Sequence, residues 1–392
     1  MEEVSENRFN YRQRRPEETT LYALIANNFN TFIAEREQEG RSLPAYVRRE
    51  FEEYLKCGIL AHGFVEVHCP ECHDWFPVPF SCKRRGICPS CAARRMAETA
   101  IHLDENLMPH VPVRQFVLTF PVPVRLWSAR NGELLAKLCS VPCEMIEAFL
   151  KTKAGFDKDD SVQGGMVTFV QRFGSACNLN IHLHVLAIDG VFQEKTTGRV
   201  KFYHAKAPSN DDVAVLVREI SSRINKHLVK KGFLKELEDE TLVTQDTTGL
   251  FPEDDLHLPA MAASLVNKIA FGENQGKPVK RLYAYGRCWP DEEDVENTGE
   301  RCATSGGYSL HANTCVKANE RERLKKLIQY MARPALSDDR IEIVAKDRVR
   351  IKLKTPWRDG TTQSICQKSL TTLWKNQDHL SNSSFVWDRG GG

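Results

Sequence analysis

The sequence contains no apolar run long enough to cross a membrane, because a spanning helix needs about 20 consecutive apolar residues. The N-terminal segment MEEVSENRFNYRQRRPEE is polar and lacks the apolar core of a secretory signal peptide. We therefore expect a cytoplasmic protein with no membrane partner.

The chain also lacks a strong net charge, since 54 Lys and Arg oppose 52 Asp and Glu and leave a net charge of +2. Total charge therefore does not indicate a nucleic-acid-binding protein, and any basic surface must be local. There is no internal repeat and no low-complexity tract. With 41% hydrophobic and 27% charged residues over 392 positions, the composition predicts an ordinary globular protein of two or three domains.

Cysteine is abundant. In a cytoplasmic chain, 13 cysteines indicate metal ligands or buried thiols rather than a disulfide framework. The segment HCPECHDWFPVPFSCKRRGICPSC pairs Cys69 with Cys72, and Cys88 with Cys91, with fifteen residues between the pairs. This spacing predicts a four-thiolate zinc site, whose closed tetrahedral shell is structural, and Cys82 could replace one ligand. Four buried thiols and a thioredoxin-like redox site are the alternatives, but two motifs this close fit one metal better.

Basic residues surround the second cysteine pair: Lys83, Arg84, Arg85, Arg94 and Arg95. No acidic residue lies between Lys83 and Arg95. A rigid basic surface of this kind could contact the phosphates of DNA, and a solvated basic face is the alternative.

Two histidines stand out in a second region. The runs GGMVTFVQRFG and NIHLHVLAIDG are joined by a polar segment, which predicts a β-hairpin. His182 and His184 are two positions apart and therefore share a face of their strand. A turn near residues 176–177 places His182 opposite Gln171 and His184 opposite Phe169, so Gln171 joins the face of the histidines. The three groups predict a catalytic divalent-metal site, and two satisfied core histidines are the alternative.

The segment ANERERLKKLIQYMARPALSDDRIE predicts an amphipathic helix. Its expected buried stripe comprises Leu324, Leu327, Ile328 and Met331. Tyr330 lies beside this stripe and shares a face with Arg323, Lys326 and Arg333. These cations favour a phenolate and attract a phosphodiester, so Tyr330 is a candidate nucleophile on phosphorus. A boundary tyrosine among surface charges is the alternative, and the helix alone favours it.

The three features together resemble the HUH-type rolling-circle transposases of insertion sequences that carry an N-terminal zinc-binding domain. The resemblance covers roughly Phe51 to Thr362 and is carried by FSCKRRGICPSCAARRMAETAIHL, PVRQFVLTFPVPVR, NLNIHLHVLAIDGVF, YSLHA, RLKKLIQYMARPAL and LKTPWRDGTT. It implies a single-strand DNA endonuclease and strand transferase acting at the ends of a mobile element. His182 and His184 match the family's metal-binding histidines, Gln171 matches a position where relatives carry His or Gln, and Tyr330 matches the nucleophile.

The resemblance also implies cofactors and a mechanism. Mg²⁺ or Mn²⁺ would serve the catalytic site and Zn²⁺ the structural site. Attack by Tyr330 would leave a 5′-phosphotyrosine and a free 3′-OH, while Arg323, Lys326 and Arg333 would hold the DNA backbone. Some relatives carry a second tyrosine four residues earlier, where this chain has Lys326, so it is similar to the single-tyrosine type.

We expect an α+β fold: an HUH-endonuclease core with a mainly antiparallel sheet and the tyrosine helix across it, preceded by a helical arm and a small zinc-binding module. The expected domains are the arm at 1–56, the zinc-binding domain at 57–110, the nuclease domain at 111–362 and an atypical tail at 363–392. The tail SICQKSLTTLWKNQDHLSNSSFVWDRGGG departs from the family pattern, which favours a truncated or frame-shifted copy. In such a copy residues 362–392 would be unstructured and the protein inactive.

Two other functions fit the same residues. A plasmid or phage rolling-circle replication initiator would use the same chemistry on a different DNA target, but the zinc module and the RPAL block favour the transposase. A zinc-dependent DNA-binding remnant of a transposase would bind DNA without cleaving it. A covalent protein–DNA adduct separates the two catalytic functions from the third.

Overall fold

The computed structural model describes residues 14–38, 40, 42–71, 73–84, 86–156, 161–175, 177–236, 242–244, 280–283, 299–335, 337–345, 348–353, 361–367 and 385–388. The helices in these ranges are α1 (Thr20–Gln38), α2 (Ala45–Lys56), α3 (Pro89–His102), α4 (Val122–Arg130), α5 (Gly132–Lys153), α6 (Asn210–Lys230) and α7 (Arg321–Met331). The strands are β1 (Phe64–His68), β2 (Trp75–Pro79), β3 (Val113–Thr119), β4 (Val162–Gln163), β5 (Met166–Phe173), β6 (Leu179–Ile188), β7 (Gly190–Glu194), β8 (Val200–His204), β9 (Leu234–Glu236), β10 (Leu242–Thr244), β11 (Lys280–Tyr283), β12 (Cys302–Ser305), β13 (Tyr308–His311), β14 (Cys315–Val316), β15 (Ile341–Ala345), β16 (Arg348–Lys352), β17 (Thr361–Gln367) and β18 (Phe385–Asp388).

A seven-stranded antiparallel sheet forms the centre of the fold. Its strands run in the order β12-β13-β3-β6-β5-β18, and β14 pairs with β3 as well. The predicted hairpin is confirmed in its register, because Gln171 pairs with His182 and Phe169 with His184. The sheet therefore brings the three predicted metal ligands onto one face.

Helices cover both faces of this sheet. The layer formed by α4, α5 and α6 packs on one face, against alternate β6 residues such as Leu183 and Val185. The other face is covered by α3 and α7, which pack against residues such as Phe169 and Leu186. The alternation explains why β6 is apolar on both faces yet can present polar groups at one end of one face.

The fold class is α+β, as predicted. The tyrosine helix α7 lies across the sheet and buries Leu324, Ile328 and Met331, while Leu327 is half-buried. Within the ranges described, no helix is long and apolar enough to span a membrane.

The helical arm shares its apolar core with other parts of the chain. Phe29 of α1 stacks on Phe51 of α2, with ring centroids 4.9 Å apart. The same core contains Cys88 at the start of α3, and Ile341 and Ile351 from β15 and β16. The arm thus packs on both the cysteine-rich region and the C-terminal strands, and the domain boundaries stay predictions.

Part of the C-terminal tail is ordered in strands. β17 pairs with β16 and with β11, in a four-stranded sheet that also contains β15. β18 pairs with β5 and extends the central sheet. The expectation of an unstructured tail is wrong for these two segments, because their backbone groups pair with those of β11, β16 and β5. The rest of the tail lies outside the described residues.

Candidate functional site

The two histidines of β6 lie side by side beneath α7. Their ring centroids are 5.0 Å apart, and His184 is buried. Burial lowers the pKa of His184 to about 3 and that of His182 to about 4, and the nearby positive charge of Arg333 adds to both shifts. Both imidazoles are therefore neutral near pH 7, and the neutral ring is the form that binds a metal ion.

The predicted metal ligands use some polar atoms in hydrogen bonds, and acceptor atoms remain that have no protein partner among the described residues. The amide nitrogen of Gln171 donates to the carbonyl oxygens of Met331 (2.9 Å) and Tyr330 (3.3 Å). The Nδ1–H of His182 donates to the Asn180 carbonyl at 2.8 Å, which leaves its Nε2 as an acceptor. Within the described part of the chain, Oε1 of Gln171 and Nε2 of His184 are buried with no hydrogen-bond partner. Since buried polar atoms are normally paired, these acceptors fit a bound cation.

Tyr330 lies against this group of ligands. Its ring centroid is 6.0 Å from that of His184, in an edge-to-face arrangement. Tyr330 is 41% exposed among the described residues, so part of its surface is open to solvent. The hydrogen bonds from Gln171 to the carboxyl end of α7 hold the tyrosine at this position.

Two arginines place positive charge at the site. The guanidinium carbon of Arg333 lies 4.3 Å from the ring centre of Tyr330. Arg125 of α4, which the sequence did not single out, also lowers the pKa of His182 through its positive charge, and its Nε–H donates to the carbonyl oxygen of Phe120. Arg323 instead donates to Glu320 at the amino end of α7, and Lys326 is exposed. Of the three cations predicted on the helix, the structure brings Arg333 to the tyrosine ring.

A four-cysteine cluster lies beside the arm. The sulfurs of Cys57, Cys82, Cys88 and Cys91 are all within 4.8 Å of one another. Three of the separations are 3.6 Å. A tetrahedron of zinc–sulfur bonds of about 2.3 Å has edges of about 3.8 Å, so the spacing fits zinc. Hydrogen bonds among the four thiols lower the pKa of Cys57 and raise the pKa values of Cys82 and Cys88, so Cys57 is favoured over these two as a thiolate.

The predicted zinc ligands are brought together only in part. Cys88 and Cys91 belong to the cluster, together with Cys82, the possible substitute. The structure does not place Cys69 there, and the predicted set is corrected at this residue; Cys72 lies outside the described residues. Cys69 directly follows β1, whose residues are exposed, and its N–H donates to the Asp74 carbonyl in the turn between β1 and β2.

The basic residues around the cluster are partly engaged. Arg94 forms an exposed ion pair with Glu98 at 2.7 Å, and Arg95 donates to the Lys83 carbonyl at 3.1 Å. Arg84 is half-buried, and Arg85 lies outside the described residues. A DNA-binding role for this surface stays a prediction.

Three residues of these sites were missed by sequence reasoning. Cys57 ends α2 and belongs to no Cys-x-x-Cys pair, so its spacing carried no signal. Arg125 belongs to another helix, α4, and acts on His182 through its charge. Gln115, whose amide lies 2.8 Å from Nδ1 of His184, did carry a signal, because it is a polar residue inside the buried strand run VRQFVLTF.

Two known family models match the chain, one over each of the two sites. Residues 165–385, more than half of the chain, match the family model described as "Putative transposase", and residues 25–120 match the "Transposase zinc-binding domain". The first match contains the histidine pair and Tyr330, and the second contains all four clustered cysteines. No curated protein and no solved structure matches the chain. The zinc-domain match and the cluster together support a structural zinc.

Proposed function

The chain belongs to a transposase family and carries the zinc-binding domain of transposases, and on this premise we propose that it nicks single-stranded DNA at the ends of a mobile element and transfers the strand through Tyr330. The observation that carries the proposal is the placement of the Tyr330 ring 6.0 Å from that of His184, on a sheet face where His184 and Gln171 have buried acceptors left over. A structural tyrosine would not explain these acceptors.

The protein groups divide the chemistry between them. Mg²⁺ or Mn²⁺ bound by His182, His184 and Gln171 would polarise the scissile phosphate. The Tyr330 oxygen would lose its proton to water and attack phosphorus in line, the bond from phosphorus to O3′ would break, and the 3′ oxygen would take up a proton from water and leave as a hydroxyl. The 5′-phosphotyrosine retains the bond energy, so attack by a 3′-OH rejoins DNA without ATP.

Positive charge around the tyrosine supports the same reaction. Arg333 lies over the Tyr330 ring and the charge of Arg125 lowers the pKa of His182, and guanidinium groups suit phosphate oxygens in geometry and charge. Arg323 and Lys326 lie nearer the amino end of α7, where they would contact the DNA backbone farther from the cleaved bond. In this proposal Cys57, Cys82, Cys88 and Cys91 hold the zinc, which shapes the adjoining module for recognition of the element end.

Replacement of the phenol tests the proposal. Tyr330→Phe removes the attacking oxygen and keeps the ring, so cleavage of single-stranded oligonucleotides from the sequences flanking the gene should fall below detection. DNA binding should stay within about two-fold, since the charges are unchanged. Tyr46→Phe, at an exposed tyrosine on α2, is the matched control and should cleave like the wild type.

The outcomes separate the candidate functions. Loss of cleavage in Tyr330→Phe alone supports Tyr330 as nucleophile. Retained cleavage would refute that role. Binding without cleavage by the wild-type protein, with Mg²⁺ or Mn²⁺ present, would favour the non-catalytic remnant, while cleavage confined to a plasmid or phage origin would favour the replication initiator.

A further inference from the structure

The side chain of Gln115 contacts Nδ1 of His184, the ring nitrogen on the side away from the proposed cation. The amide nitrogen of Gln115 lies 2.8 Å from Nδ1 of His184, and both side chains are buried. The contact follows from the sheet, because Val117 of β3 pairs with His184 and Gln115 lies two residues earlier on the same face.

The position of the proton on His184 decides whether this residue can bind a cation. A neutral imidazole carries one proton; when it is on Nδ1, the Nε2 lone pair is available, and when it is on Nε2, that lone pair is lost. Nε2 is the buried atom without a hydrogen-bond partner in the described part of the structure. An acceptor at Nδ1 is therefore needed to hold the proton away from Nε2.

Gln115 can supply that acceptor. A half-turn of its side-chain amide exchanges the nitrogen for the oxygen at the same place, so that Oε1 accepts Nδ1–H. With the amide nitrogen toward His184 instead, Gln115 donates a proton to Nδ1, and the ring proton of His184 must then be on Nε2. His182 has no such choice, because its Nδ1–H donates to the backbone carbonyl of Asn180.

We propose that Gln115 is a positioning residue that fixes the Nδ1–H tautomer of His184 through its amide oxygen and thereby presents Nε2 to the divalent cation. The inference rests on the proposed metal site, and it assigns Gln115 no contact with DNA. It also explains a buried polar side chain in an otherwise apolar strand, since the amide satisfies an imidazole that would lack a partner on this side.

Two substitutions test the role of the acceptor in the full-length, zinc-loaded protein. Gln115→Met keeps the length and removes the acceptor, so Mn²⁺ affinity measured by electron paramagnetic resonance should fall about 10-fold or more. Gln115→Glu offers only acceptor oxygens and should bind Mn²⁺ at least as tightly as the wild type. Gln193→Met on β7, where the amide bonds to Ser161, is the matched control and should leave the affinity unchanged.

A second measurement needs no substitution at Gln115. In wild-type protein with ¹⁵N-labelled histidine and bound Mg²⁺, the His184 signal, assigned by its loss in His184→Ala, should show a protonated Nδ1. An unprotonated Nδ1 would overturn the proposal even if the Gln115 variants failed to fold.

The outcomes distinguish this inference from the proposed function. If His184→Ala removes Mn²⁺ binding but a folded Gln115→Met binds Mn²⁺ like the wild type, the metal site stands and the role of Gln115 is refuted. If the wild type shows no Mn²⁺ binding that depends on His184, the proposed metal site fails and this inference fails with it.

Discussion

At the scale of the residue, Gln171 links the two halves of the proposed site. Its amide nitrogen bonds to the last carbonyls of α7, and its oxygen remains for a cation on the histidine face. One side chain would therefore fix both the metal and the tyrosine. This explains how residues 159 positions apart in sequence can share one reaction centre.

Arg333 lies just beyond the carboxyl end of α7 and Arg323 lies in its first turn, so the two arginines should affect different steps. Arg333 lies over the Tyr330 ring, where charge develops on the phosphate, so Arg333→Ala should lower single-turnover cleavage at saturating DNA by about 100-fold. Arg323 lies two turns away and pairs with Glu320, so Arg323→Ala should weaken binding a few-fold and leave the saturated rate unchanged. Quench-flow cleavage measured over a range of DNA concentrations separates the effects, and equal loss of saturated rate in both variants would contradict this division.

The shared face of His182, His184 and Gln171 could be predicted from sequence, whereas the residues that contact them from other elements could not. The two-residue period of a strand and a short hairpin determine which side chains face each other, and this gave His182, His184 and Gln171 one face. Gln115 and Arg125 come from other elements, whose approach depends on sheet order and helix packing. No local pattern encodes sheet order or helix packing, although its place in a buried strand run marks Gln115 as unusual.

At the scale of the element, α7 is held at both ends. Gln171 binds its carboxyl end, and at its amino end Arg321 pairs with Asp104 at 2.6 Å. Lys325 also approaches Asp104, at 3.4 Å. Asp104 belongs to a π-helical turn, Leu103–Leu107, that directly follows α3. α3, whose first turn contains Cys91 and follows Cys88, therefore leads directly into the turn that holds the amino end of α7.

Removal of this anchor should destabilise the protein. The Asp104 side chain is 5% exposed and that of Arg321 is 18% exposed, so Asp104→Ala leaves a largely buried guanidinium without its carboxylate. We expect a loss of about 3 kcal/mol in the free energy of unfolding, measured by urea denaturation. The matched control is Glu322→Ala, because this exposed carboxylate also pairs with Lys325 and its loss should cost no more than about 0.5 kcal/mol. Equal unfolding midpoints for the two variants would show that the anchor contributes little.

At the scale of the whole molecule, the cysteine cluster belongs to a core shared by α1, α2, β15 and β16. Binding of zinc there would stabilise the arm, the zinc module and the C-terminal strands together. Sequence spacing could not identify this arrangement, because the Cys-x-x-Cys pattern shows which thiols are near in sequence and not which chain segments meet. Cys57 directly follows α2 and Cys82 lies between β2 and α3, yet their sulfurs lie within 4.8 Å of those of Cys88 and Cys91.

The proposed ligand set predicts opposite results for two serine substitutions. Cys57→Ser removes a clustered sulfur, so purified protein should lose most of its zinc and its melting temperature should fall by several degrees. Cys69→Ser should retain the zinc content of the wild type. Metal analysis of both proteins by mass spectrometry decides between them, and loss of zinc in Cys69→Ser with retention in Cys57→Ser would restore the ligand set predicted from sequence spacing.

The fold class could be predicted, but the path of the C-terminal tail could not. Hydrophobic periodicity identified the hairpin, the tyrosine helix and the antiparallel character of the core. The pairing of β18 with β5 joins segments more than 200 residues apart, and sequence period carries no information on such partners.

The covalent attachment site of DNA tests the central claim most directly. Wild-type protein would be incubated with Mg²⁺ and a single-stranded oligonucleotide from the sequences flanking the gene, digested with protease and nuclease, and analysed by tandem mass spectrometry. We predict a 5′-phosphonucleotide on Tyr330. Cleavage with the nucleotide attached to another residue, or with no covalent adduct, would contradict it.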